Sequence, residues 1–190
     1  DLKIEDGVIT LACAYNPEFG KNGYVSVIRF LPEGGTMKKT ENGMKISGAD
    51  GLMVVSKIEM YEDNFTFECA KTVRDGLMAM KVNFDKMLKG NEKYIGERMD
   101  RSRIHLSPDE DMLLSGEERL SRTHNADILD PALLQKLYDM GRFFQIYETG
   151  KYPPLTGQHN INTNLQVCAG NNTGLFDEMD AYFKYYETKF

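Results

Sequence analysis

At 190 residues, with 41% hydrophobic and 27% charged side chains, the chain has an ordinary globular composition and length for one good core or two small units. Its net charge of −6, with no clustered basic run, argues against a nucleic-acid partner, because phosphate binding needs a basic surface. No apolar run approaches the roughly 18 residues that span a bilayer and no charged-then-apolar leader opens the chain, so no membrane partner is expected and any signal peptide is already absent.

The first third reads as strands. "GVITLACAY" and "YVSVIRFL" are β-branched and aromatic runs bounded by Asn, Pro and Gly, and "ENGMKI" carries an Asn-Gly turn signal. "GLMVVSKIEMY" begins as a continuous apolar run, which is expected of a central strand. Four or five strands are expected before about residue 68, too few to close a sandwich. After "EDNFTF" the period changes. Val73, Leu77 and Met80, then Phe84, Met87, Leu88, Tyr94 and Ile95, recur at helical spacings, which predicts two helices meeting near Asn83. A polar connector follows, with room for one short helix. Asp130-Pro131 is a helix start, with an apolar series from Leu133, Leu134, Leu137 and Tyr138 to Phe144 and Tyr147, and Gly150 is the expected stop. A last helix carries Leu175, Phe176, Met179, Tyr182, Phe183 and Tyr186 as an apolar stripe. That stripe reaches the end of the chain without a cap, so the chain is expected to be a middle piece of a larger protein.

Cys13, Cys69 and Cys168 are far apart and odd in number, which fits neither a disulfide framework nor a metal site, and buried thiols are expected. His105, His124 and His159 are scattered as well, so no metal and no cofactor are expected. The sequons at Asn64 and Asn171 read as chance.

The stretch "GQHNINTNLQV" places an amide on alternate residues: Asn160, Asn162, Asn164 and Gln166. In an extended chain these four share one side, with His159, Ile161, Thr163 and Leu165 on the other. Each amide offers two donors and a two-lone-pair acceptor, so such a polar, uncharged edge suits hydroxyls, as in a carbohydrate site. With no Trp, any stacking on a sugar ring falls to the 10 Tyr and 10 Phe. The plainer reading is a polar loop whose asparagines bond their own backbone.

Three stretches in order carry a family resemblance. "DPALLQKLYDMGRFFQIYETG" resembles the Asp-Pro-led helix ending in Gly-Arg-aromatic of glycoside hydrolase family 95, the 1,2-α-L-fucosidase family. "KYPPLTGQ" resembles the proline-led segment that follows it, and "HNINTNLQV" resembles the family's Asn-rich segment that lines the sugar site. Upstream, "LPEGGTM", "ISGADGLMVV" and "FDKMLKGNEKYIGERMDRSRIHL" fit the end of the family's β-domain and its helical linker. A Trp-containing loop that normally separates the proline segment from the asparagines is missing.

The resemblance implies an α+β chain: an antiparallel sheet forming a partial β-sandwich over residues 1–68, a helical linker over 69–129, and the first helices of an incomplete (α/α)6 barrel over 130–190. It implies an inverting hydrolase acting on α-L-fucosyl or α-L-galactosyl residues of an oligosaccharide or glycan, with one carboxylic acid protonating the leaving oxygen and one carboxylate directing water. In the family both lie downstream of this segment, so no catalytic residue is expected here and the remaining segments of a parent chain are implied partners. The paired family asparagines, which orient base and water, match Asn162 and Asn164, or Asn160 and Asn162 in the other phase. Asn160, Asn162, Asn164 and Gln166 are therefore the expected substrate-binding residues, with His159 as a further candidate. Asp177, Glu178 and Asp180, and the run Asp109 to Asp111, read as solvated acids. A non-catalytic carbohydrate-binding or interaction module, and a related barrel phosphorylase, stay as alternatives; the phosphorylase needs cations for phosphate, and only Lys151 is near the amides.

Overall fold

The computed structural model describes residues 1–5, 7–124, 129–150, 164–165 and 167–188. The fold is α+β, with antiparallel strands preceding helices, and the chain divides into two compact units, Asp1–Val82 and Asn83–Phe190.

In the first unit β1 (Leu2–Glu5), β2 (Val8–Ala14), β3 (Gly23–Glu33) and β6 (Gly51–Tyr61) form an antiparallel sheet in the order β1-β2-β3-β6, while β4 (Thr36–Thr40) and β5 (Gly43–Ser47) pair as a separate hairpin. Six strands thus stand where four or five are legible. The two additional ones are short: β1 has four residues and is joined to β2 by a tight turn, in which Gly7 takes the left-handed φ of 74° that a side chain would resist. The long strand β6, expected to be central, lies at the sheet's edge, pairing among the described residues with β3. Its apolar residues on both faces are what made it read as buried.

Alternation sends Val8, Ala12, Val25, Val27 and Val55 to one face of the sheet, where they form a core with Phe65 and with Val73 and Leu77 of α1 (Cys69–Ala79). Arg29 fastens this helix. Its Nη1 lies within 3.3 to 3.4 Å of the carbonyl oxygens of Leu77, Met78 and Met80, at the C-terminus of α1 and just past it. The first unit runs through α1 to Val82, because that helix covers one face of the sheet.

In the second unit the expected junction near Asn83 is a capped helix start: the Asn83 side chain accepts from Lys86 N at 2.8 Å to open α2 (Phe84–Met99). The connector holds a 3-10 turn, Asp109–Leu113, and one short helix, α3 (Gly116–Thr123), started by a reciprocal Ser115–Glu118 capping box. Asp130 caps α4 (Pro131–Glu148) by accepting from Ala132 N and Leu133 N. After a 3-10 turn at Asn171–Thr173 comes α5 (Phe176–Glu187), whose end is closed by Thr188 N donating to the Lys184 carbonyl. Arg142 of α4 joins it to the end of α2 within the second unit.

The face that α4 buries differs from the expected apolar series. Gln135, Arg142 and Gln145 are buried with Ala132 and Ile146, whereas Leu137, Phe144 and Tyr147 are exposed. Two of the polar groups have backbone partners there: Gln135 Oε1 accepts from Leu106 N at 2.9 Å, and Arg142 donates to the carbonyls of Arg98, Met99 and Ser102 at 2.5 to 2.8 Å. On α5 the stripe is likewise split, with Leu175 and Met179 buried but Phe176 and Phe183 exposed. Among the described residues no helix is long and apolar enough to cross a membrane. The thiols depart from expectation too: Cys13 and Cys69 are partly exposed and Cys168 is exposed.

Candidate functional site

A cavity of the second unit, about 620 Å³, is walled on one side by α4 and on the other by Leu165, Ala169 and Thr173. That volume lies in the range that holds small organic ligands. From α4 come Leu137, Tyr138, Gly141, Arg142, Phe144, Gln145 and Glu148, a set at helical spacing. Leu137 and Phe144, two exposed members of the α4 apolar series, thus stand on the cavity's wall. The lining combines rings (Tyr138 and Phe144), an amide (Gln145) and a carboxylate (Glu148).

Gly170 permits close packing beside this cavity. A Cβ there would meet Met179 and would come within 2.6 Å of Gln145 Nε2, so a side chain at this position would push the two walls apart. Gln145 is held from the other direction, its Nε2 lying 3.8 Å from Met179 Sδ.

Asn164, the expected site residue that falls among the described ones, is exposed and immediately precedes the lining residue Leu165. Its backbone is helical, with its carbonyl accepting from Cys168 N at 2.9 Å, so extended alternation does not continue to Asn164. A helical turn places Val167 inside and Leu165 and Cys168 outside, which serves core packing better than strict alternation does. Asn160, Asn162, Gln166 and His159 lie outside the described residues. The sequence reading missed Tyr138, Gln145 and Glu148. Their shared helical face was the available signal, hidden among the leucines and phenylalanines of α4.

Two ion-pair clusters frame the helices. Arg119, 2% exposed, forks onto both carboxylate oxygens of Asp130 at 2.8 and 3.1 Å and also donates to the Asp111 carbonyl. Desolvation works against the Asp130 carboxylate, but the Arg119 hydrogen bond and the N–H groups of Leu133 and Ala132 hold its pKa below the usual value. This is helix-cap chemistry, which accounts for Asp130 without a ligand.

The second cluster corrects the expectation that the α5 acids are all solvated. Glu178 is 3% exposed and accepts from Arg98 Nε at 2.8 Å, while its Oε2 is buried without a partner among the described residues. Asp177 accepts from Arg101 Nη2 at 2.8 Å and Arg98 Nη2 at 3.3 Å. Arg98 itself lies over the Tyr94 ring, 3.6 Å from its centroid. Asp180 pairs with Lys184 on the exposed side of α5 and remains a surface acid.

The hydrogen bond from Arg101, followed by the nearby charges of Arg101 and Arg98, holds the Asp177 carboxyl below its ordinary 3.8. A depressed folded-state pKa contributes stability that is full above 3.8 and is lost as the pH falls through the lower, folded value. We therefore expect acid unfolding of the second unit to begin below the ordinary Asp pKa, and Arg101→Met to weaken that dependence. Following α5 amide signals by NMR between neutral and strongly acidic pH checks this. The effect should shrink in high salt, because the pair is partly exposed.

No protein-family model and no curated protein matches the chain.

Proposed function

We propose that the chain is the sugar-positioning piece of an inverting glycoside hydrolase acting on α-L-fucosyl, or α-L-galactosyl, residues of glycans. One observation carries this reading: the helix over Pro131–Glu148 and the segment that opens on Asn164, two of the stretches on which the family resemblance rests, end on the walls of one cavity. A hydroxyl-rich ligand finds there a buried amide, a carboxylate acceptor and two aromatic faces. In this reading the amides hold sugar and water in place, and the acid and base come from elsewhere in a longer protein.

A phosphorylase is the weaker reading. Arg142 lines the cavity, but its guanidinium is committed to the carbonyls of Arg98, Met99 and Ser102 and offers little to a phosphate.

The purified chain is expected to release no 4-nitrophenol from 4-nitrophenyl α-L-fucoside beyond a boiled control, since hydrolysis requires two suitably spaced carboxyl groups. Turnover by the chain itself would show that it carries both and would overturn the division of labour proposed here.

A further inference from the structure

The sheet has a second face. Residues paired across β1, β2, β3 and β6 place Leu2 and Ile4, Ile9 and Leu11, Ile28 and Phe30, and Leu52, Val54, Ile58 and Met60 on the side opposite α1. The remaining positions of that side are Cys13, Tyr24, Ser26, Pro32 and Ser56, so it carries no charged side chain. The α1 side is the core, with Val25 and Val27 fully buried, whereas on the other side Ile4 is already covered but Leu2, Leu52 and Met60 are exposed, as are Val54 (51%) and Ile58 (65%). An antiparallel sheet with one solvated face normally carries polar residues there. This one does not, and its 11-residue strand β6 carries its two charges, Lys57 and Glu59, on the α1 side alone.

We infer that this face is a self-association surface, on which a second copy of the chain packs sheet to sheet to form an eight-stranded sandwich. At about 3.3 Å per residue and 4.8 Å between strands, β2, β3 and β6 present roughly 450 Å² per copy beyond the covered corner at Ile4, so two copies cover somewhat under about 1,000 Å², at the lower edge of specific interfaces. A two-fold axis between the sheets sets each apolar face on its own image, at the small angle that twisted sheets adopt when stacked. The face is neutral, so two copies can meet there although each carries a net charge of −6. A strongly charged partner would find nothing on it to pair with.

Sedimentation equilibrium of the 190-residue chain under reducing conditions tests this. The expected result is a dimer of the 21.6 kDa chain at micromolar concentration. Val54→Lys with Ile58→Lys should raise its dissociation constant on the order of 100-fold, through charges buried against an apolar face. Both positions are exposed in the single chain, so its circular dichroism should not change. Ser56→Arg, which removes no apolar group, should weaken the dimer in the same direction and serves if the double variant does not fold. Glu59→Lys, on the opposite face of β6, should leave it unaltered. A chain that stays monomeric at hundreds of micromolar overturns the inference. So does a dimer that persists with lysines or arginine on the face, or one that Glu59→Lys dissociates equally well.

Discussion

Arg142→Met is expected to destabilise the second unit by about 3 kcal/mol, because three buried carbonyls lose a charged donor while the side-chain stem is nearly preserved. Arg142 is 3% exposed, and its guanidinium reaches the Arg98, Met99 and Ser102 carbonyls from α4. Those acceptors lie at the end of α2 and just past it, where a helix leaves carbonyls unpaired. One side chain thus joins two helices and satisfies the end of one of them. Arg142→Lys should recover less than half the loss, since an ammonium cannot reproduce the planar fork. Urea unfolding followed at α2 and α4 amides measures both. A loss below about 1 kcal/mol would mean that water replaces the guanidinium cheaply.

The second large effect concerns Asn164. In a longer protein that contains this chain and hydrolyses an aryl α-L-fucoside, Asn164→Ala is expected to lower kcat on the order of 100-fold with little change in KM, as for an orienting group used mainly in the transition state. Asn162→Ala should behave alike, and His159→Ala should do much less. If the asparagines only brace the loop, kinetics of the folded enzyme should stay near normal and stability should fall by about 1 kcal/mol. Measuring kcat, KM and melting temperature together separates the two.

How much of this was legible depended on whether a residue's partner was local. The Asn83 cap and the Asp130-Pro131 start could be read because each is settled within three residues. The order of strands before helices followed from period alone. Burial of Glu178 could not be read, since its partner Arg98 is 80 residues away. The same holds for α4, whose buried face is polar because Leu106 N and the carbonyls near Met99 supply partners that no helical wheel contains. Strand β6 misled for another reason. An apolar residue on an unfilled sheet face looks the same in sequence as one in a core. Of the expected sugar-site residues, Asn164 stands beside the cavity, with a helical backbone that the amide alternation did not anticipate.

Titrating the chain with methyl α-L-fucoside while following its backbone and side-chain amide NMR signals tests most directly whether this cavity is a sugar site. At about 50 mM sugar, enough to populate even millimolar binding, shifts are expected at Leu165, Ala169, the Gln145 side-chain amide and Glu148, and they should diminish in Asn164→Ala. Unmoved signals at all four positions, or shifts identical in Asn164→Ala, would contradict the assignment of this cavity and its neighbouring amides to carbohydrate.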